Sequence, residues 1–140
     1  MSSHANVYGP PIGLEVARKV AAAALAETRK NNWTMAVAIV DPGGFLVYFE
    51  KMDDTQLAGS QIAIDKARSA ALFKRSTKIM QEMLAAGGAG VRVLRLRGAI
   101  PIEGGLPLFS AGKIIGAIGM SGDSSENDGR CCQAGAEVLK

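Results

Sequence analysis

The run Trp33-Thr34-Met35-Ala36-Val37-Ala38-Ile39-Val40-Asp41, closed by Pro42-Gly43-Gly44 and answered by Phe45–Lys51, decides the fold. Trp33, Met35, Val37 and Ile39 alternate with Thr34, Ala36, Ala38 and Val40, and neither set carries charge. A strand that avoids charge on both faces belongs inside a sheet with helices against it. Asp41-Pro42-Gly43-Gly44 supplies a fixed φ at proline and a permitted positive φ at glycine, so the chain reverses as a hairpin. So short a link cannot make a parallel crossover; the pairing is antiparallel. A second unit of the same kind runs from Leu106 to Ser121, turning at Ala111-Gly112. Gly116, Ala117 and Gly119 thin its returning strand, which permits close approach by another backbone or by a flat ligand.

Helical spacing fills the gaps between the hairpins. From Gly13 to about Lys30 the positions Leu14, Ala17, Ala21, Ala24, Leu25 and Thr28 share one face, widened by Val16, Val20 and Ala23. Glu15 near the start and Arg29-Lys30 near the end suit the helix dipole. Gln56 to Phe73 and Ser76–Ala86 read as two further helices, stopped by Gly87-Gly88-Ala89-Gly90. That glycine cluster is no dinucleotide loop, because it follows a helix rather than a strand. Ser124 to Asp128 starts a last helix, Ser125 and Asp128 resembling a capping box, with Ala134, Val138 and Leu139 expected inward. Residues 1–11, broken by Pro10-Pro11, read as an extended arm, and residues 12–140 as a single domain.

The totals narrow the function classes. A net charge of +3 without clustered aromatics (5% of the chain) argues against nucleic acid. The sequence shows no charged-then-apolar leader and no apolar run of spanning length, so the expected location is the cytoplasm, away from membranes. Cys131 and Cys132 are adjacent, point about 100° apart on a helix, and suit neither a disulfide nor a pair of metal ligands. With one histidine, His4, in the arm, a metal site and a serine or cysteine triad both lack their base or ligands.

Taken in order, these residues resemble the GlcG/HbpS-like family, the haem-degrading or haem-binding domain also found at the C-terminus of PduO-type proteins. The resemblance rests on Val37-Ala38-Ile39-Val40-Asp41 with Gly43-Gly44, Lys51-Met52-Asp53, and Ser60 through Lys66-Ala67. Further along it rests on Ser69-Ala70-Ala71, Ser76-Thr77, Gly104-Gly105-Leu106-Pro107, Gly112 through Gly122, and Asp128 through Gly135. It implies an α/β (α+β) domain: an antiparallel sheet of about five strands flanked by helices, profilin- or Roadblock-like. Four strands are plain; Val91–Leu96 or Ala99–Ile102 would be the fifth. It also implies self-association into dimers or larger rings, and haem or a related tetrapyrrole as the small-molecule ligand, in a setting of small-molecule catabolism.

Candidate site residues follow from chemistry. Arg92, Arg95 and Arg97 offer bidentate partners for carboxylates. Gly104 and Gly105 offer backbone N–H groups to an anion, and Met52 and Met120 offer weak thioether ligands to iron. Lys66 borders the buried face of its helix: a base or nucleophile if desolvated, or a snorkelling side chain paired with Asp65 or Asp41. The expected function is a small-ligand-binding protein. The alternative is a cofactor-free lyase, isomerase or hydrolase on a small carboxylate at a subunit-interface pocket. There the Arg92–Arg97 loop would hold the carboxylate, and Lys66 with Asp41 or Glu50 would move protons, Asp53 and Glu103 standing by.

Overall fold

A computed structural model describes residues 6–140, so His4 lies outside the described residues. The helices are α1 (Leu14–Lys30), α2 (Gly59–Phe73), α3 (Thr77–Ala86) and α4 (Ser125–Ala136). The strands are β1 (Ala36–Val40), β2 (Leu46–Lys51), β3 (Gly105–Ser110) and β4 (Lys113–Ser121). They form one sheet in the order β2-β1-β4-β3, every neighbouring pair antiparallel.

The size alternation of β1 sorts the layers. Val37 and Ile39 join Leu108, Ile118 and Met120 in a core shared with Ala17, Val20, Leu25, Cys131 and Cys132 of α1 and α4. Ala36, Ala38, Val40 and Ala117 meet Ala63, Ala67, Ala70 and Ala71 of α2 on the opposite face. That second interface is built almost wholly from alanine, so α2 lies very close to the sheet. A side chain at Gly119 would run into the Ala63 carbonyl and come within 2.5 Å of the Ala67 nitrogen. The thinned strand therefore admits a helix backbone, not a flat ligand.

Both turns obey their chemistry. Asp41 Oδ1 accepts from Gly43 N (2.9 Å) and Phe45 N (3.0 Å). Ala111 and Gly112 both carry positive φ, 51° and 75°, the backbone that a tight antiparallel hairpin requires. The arm lies along β4: Gly9 N donates to Ile114 O at 2.8 Å and Ile114 N to Val7 O at 2.9 Å.

Three expectations are corrected. Among the described residues the sheet has four strands: Val91–Leu96 falls in and just after a 3-10 stretch, Gly88–Arg95, and residues 99–102 are irregular. Gly90 is pressed against the Met83 carbonyl, which turns the chain back onto α3, and only Val93 of the apparent alternation is buried. The inward face of α4 is Asp128, Cys131, Cys132 and Gly135, and Val138 is exposed, while Leu139 packs partly buried against the core as expected. The cap of α4 is Ser124, whose hydroxyl accepts from Asn127 N at 3.2 Å. Asp128 is thereby released from capping. No helix among the described residues is long and apolar enough to cross a membrane.

Candidate functional site

Lys66 is the largest fully buried side chain of the described residues. It leaves α2 between β3 and β4, and its Nζ donates to Met120 O (3.1 Å) and to Asp128 Oδ2 (3.0 Å). Asp128, in the first turn of α4, takes Asp123 N on its other oxygen at 3.1 Å. The pair joins α2 to α4 at the end of the β3–β4 ladder. Its two members stand 62 positions apart in sequence. Burial pushes the Asp128 carboxyl up, and the Lys66 ammonium pulls it part of the way back.

The paired glycines are a consequence of that lysine. A side chain on Gly104 would meet Lys66 Nζ at 2.6 Å and Met120 O at 2.9 Å; one on Gly105 would strike the Lys66 carbonyl. Gly104 also has φ +127°, open to glycine alone. The Gly105 N–H is already given to Thr77 Oγ1 at 2.8 Å, so it is not held out to an anion. Gly104 O accepts from Met120 N (2.8 Å) and from the Cys132 thiol (3.1 Å).

On the other side of this glycine floor opens a cleft of about 390 Å³, within the range of small-molecule sites. Lys78 comes from α3, Glu103 and Leu106 from the entry to β3, and Glu126, Arg130 and Gln133 from α4. Glu103 lies over Gly129, where any side chain would collide with its carboxylate. Its backbone N–H is held by Gln81 Oε1 at 2.8 Å, which aims the side chain across α4. Burial raises the Glu103 carboxyl above its usual range; Glu126 and Glu82 add to this, and Lys78 and Lys66 oppose it. Arg130 reaches back to Glu27 (3.1 Å) and stands 5.8 Å from the Trp33 ring.

The other expected residues lie elsewhere. Asp41 sits at the far end of β1, beside the level of Ala117, with one carboxylate oxygen engaged by its own turn. Glu50 is on β2, where Tyr48 OH donates to it at 2.6 Å, and β1 separates it from β4. Met52 shares a polar groove with Arg29, Glu50, Lys51 and Asp53. Arg92, Arg95 and Arg97 are exposed, Arg92 beside Met83 in a different groove. Of the expected set, Lys66, Glu103, Gly104 and Gly105 come together, with Asp128 in place of Asp65 or Asp41. Asp128, Lys78 and Arg130 were not singled out as site residues; the only hint was that a lysine entering a core needs a carboxylate.

An α+β sheet domain with a glycine-floored cleft above a buried lysine–aspartate pair is the class that fold and site define. The chain belongs to the HbpS-like family: the family model described as haem degrading protein HbpS-like matches residues 12–137. It is 38% identical over 107 residues to Protein GlcG of Escherichia coli strain K12, spanning 76% of this chain and 78% of that protein. A double mutant of Streptomyces reticuli HbpS superposes with TM-score 0.86 at 27% identity, covering 96% of this chain and 90% of that one. PduOC in its haem complex superposes with TM-score 0.83 at 23% identity, over 93% and 96% of the two chains, which shows a shared fold.

Haem iron takes an axial histidine, cysteine, methionine or tyrosine. Of these, Cys132 alone lines the cleft among the described residues. Its thiol is bonded to Gly104 O, and burial drives its pKa far up, so it stays protonated. Met120 is fully buried, and the Tyr8 hydroxyl is given to Ala71 O at 2.7 Å. Among the described residues the cleft thus carries two cations, Lys78 and Arg130, beside Glu103 and Glu126, and no side chain free to ligate a haem iron.

Proposed function

We propose that the protein is a cytoplasmic, self-associating binding protein for a small ligand of the tetrapyrrole class, held in the Glu103–Gly105 cleft. One observation carries the reading: a cleft of about 390 Å³ in which Lys78 and Arg130 flank an apolar and glycine floor. Two propionates would pair with those cations, and one face of the macrocycle would lie on Leu106 and the bare Gly104-Gly105 backbone. The names of relatives, a haem complex of PduOC among them, support that ligand class. Enzymatic chemistry resting on Lys66 is less well supported, because its ammonium is committed to Asp128 and Met120 O behind the floor. The test is the mass and visible spectrum of whatever small molecule purifies with the protein, followed by titration with tetrapyrroles. A saturable change in the micromolar range supports the reading; its absence with every tetrapyrrole tried sinks it.

A further inference from the structure

Glu103 is the cleft's unused group. Among the described residues its carboxylate has no hydrogen-bond or ion-pair partner, although it is half-buried and its backbone is pinned by Gln81. Gly129 leaves the space it occupies. A carboxylate held in that way is an acceptor awaiting donors, and a charge-assisted bond to it is roughly twice as strong as a neutral one.

Tetrapyrroles differ in the donors they bring. In haem the iron has replaced the inner N–H protons and asks instead for an axial ligand, which the described residues of this cleft do not supply. In a closed metal-free ring the N–H groups point at each other in the ring plane. In an open-chain tetrapyrrole several pyrrole N–H groups converge and stay accessible to one oxygen. We infer that the cleft selects a metal-free, open-chain tetrapyrrole over haem, with the Glu103 carboxylate accepting pyrrole N–H bonds and Lys78 and Arg130 pairing with the propionates. This rests on the tetrapyrrole reading above. The raised basicity of Glu103, from burial and from Glu126 and Glu82, strengthens it as an acceptor, against Lys78 and Lys66.

The single tryptophan provides the readout, since Trp33 stacks near the cleft's own Arg130. Titrating the full chain with biliverdin and, separately, with hemin should quench Trp33, biliverdin binding about tenfold tighter, the worth of one hydrogen bond to a charged group. Glu103→Gln should cost biliverdin about tenfold and leave hemin within about twofold. Lys78→Ala should weaken both. Hemin binding as tightly as biliverdin overturns the inference while leaving the tetrapyrrole reading intact. A biliverdin preference that survives Glu103→Gln removes Glu103 from it. Saturation by neither compound removes the inference and the tetrapyrrole reading together.

Discussion

At the scale of single residues, the Lys66–Asp128 pair sets the terms. Both side chains are almost wholly withdrawn from water, 2% and 3% exposed, and each charge faces the other at 3.0 Å. Replacing one member strands a buried charge, at a cost of about 3–5 kcal/mol, whereas removing both is often nearly neutral. Lys66→Met should therefore lower the urea midpoint sharply, and adding Asp128→Leu should restore most of it. A single variant as stable as the parent would mean that the charges are not desolvated. Glu103 gives a second prediction, with a sign. Its folded-state pKa is raised above 4.5, so between 4.5 and the folded value the unfolded chain ionises first. Stability attributable to Glu103 is then present at low pH and lost as pH rises through that window. The parent should lose more stability than Glu103→Gln over that rise in denaturant melts; parallel curves would show an ordinary carboxyl. The vicinal thiols complete the residue scale. Cys131 and Cys132 are both buried, and burial raises both thiols, so native protein should resist iodoacetamide at neutral pH and react only when denatured.

At the scale of elements, the alanine face of α2 packs on β4 at backbone distance. Gly119→Ala places a methyl where the Ala63 carbonyl and the Ala67 nitrogen already are, so α2 must lift from the sheet. Overpacking of this kind costs about 1–3 kcal/mol where neighbours are side chains, and backbone neighbours yield less readily. The variant should show a loss at or above the top of that range in equilibrium unfolding, and a loss within about 0.5 kcal/mol would mean that α2 is free to shift. Elements were legible in the sequence where local chemistry decides them. Asp41-Pro42-Gly43-Gly44 names its own hairpin, and the size alternation of Val37 and Ile39 with Ala36 and Ala38 sorts the layers. Legibility failed where a distant neighbour decides. Val91–Leu96 has the period of a strand, but Gly90 packs against α3 and carries the segment off from the sheet. Gly135 looks like a weak point in α4, yet it admits the Val20 carbonyl, which a methyl there would meet at 2.9 Å. The cleft was half visible for the same reason: Gly104 and Gly105 announce a special backbone, while the partner that requires their bareness comes from another helix.

At the scale of the whole molecule, the uneven cover of the sheet matters most. α2 packs on β1, β4 and β3, leaving the α2-side of the edge strand β2 without a helix over it. Leu46 and Phe49 lie on that side, opposite Val40 and Ala38. Phe45, 69% exposed, stands immediately before the same strand. Isolated apolar residues on a surface need no explanation, but a cluster at an open strand edge is a liability for a monomer. A second copy of the same chain is the occupant that the proposed self-association would supply, because one patch then covers its own image. Light scattering should give a mass at least double the 14.6 kDa of one chain. Phe49→Lys with Leu46→Lys should return it to that of one chain without changing the far-ultraviolet circular dichroism, since neither residue belongs to either core cluster. A parent already at 14.6 kDa would leave β2 as a bare edge, and an assembly indifferent to both lysines would move the contact to another face.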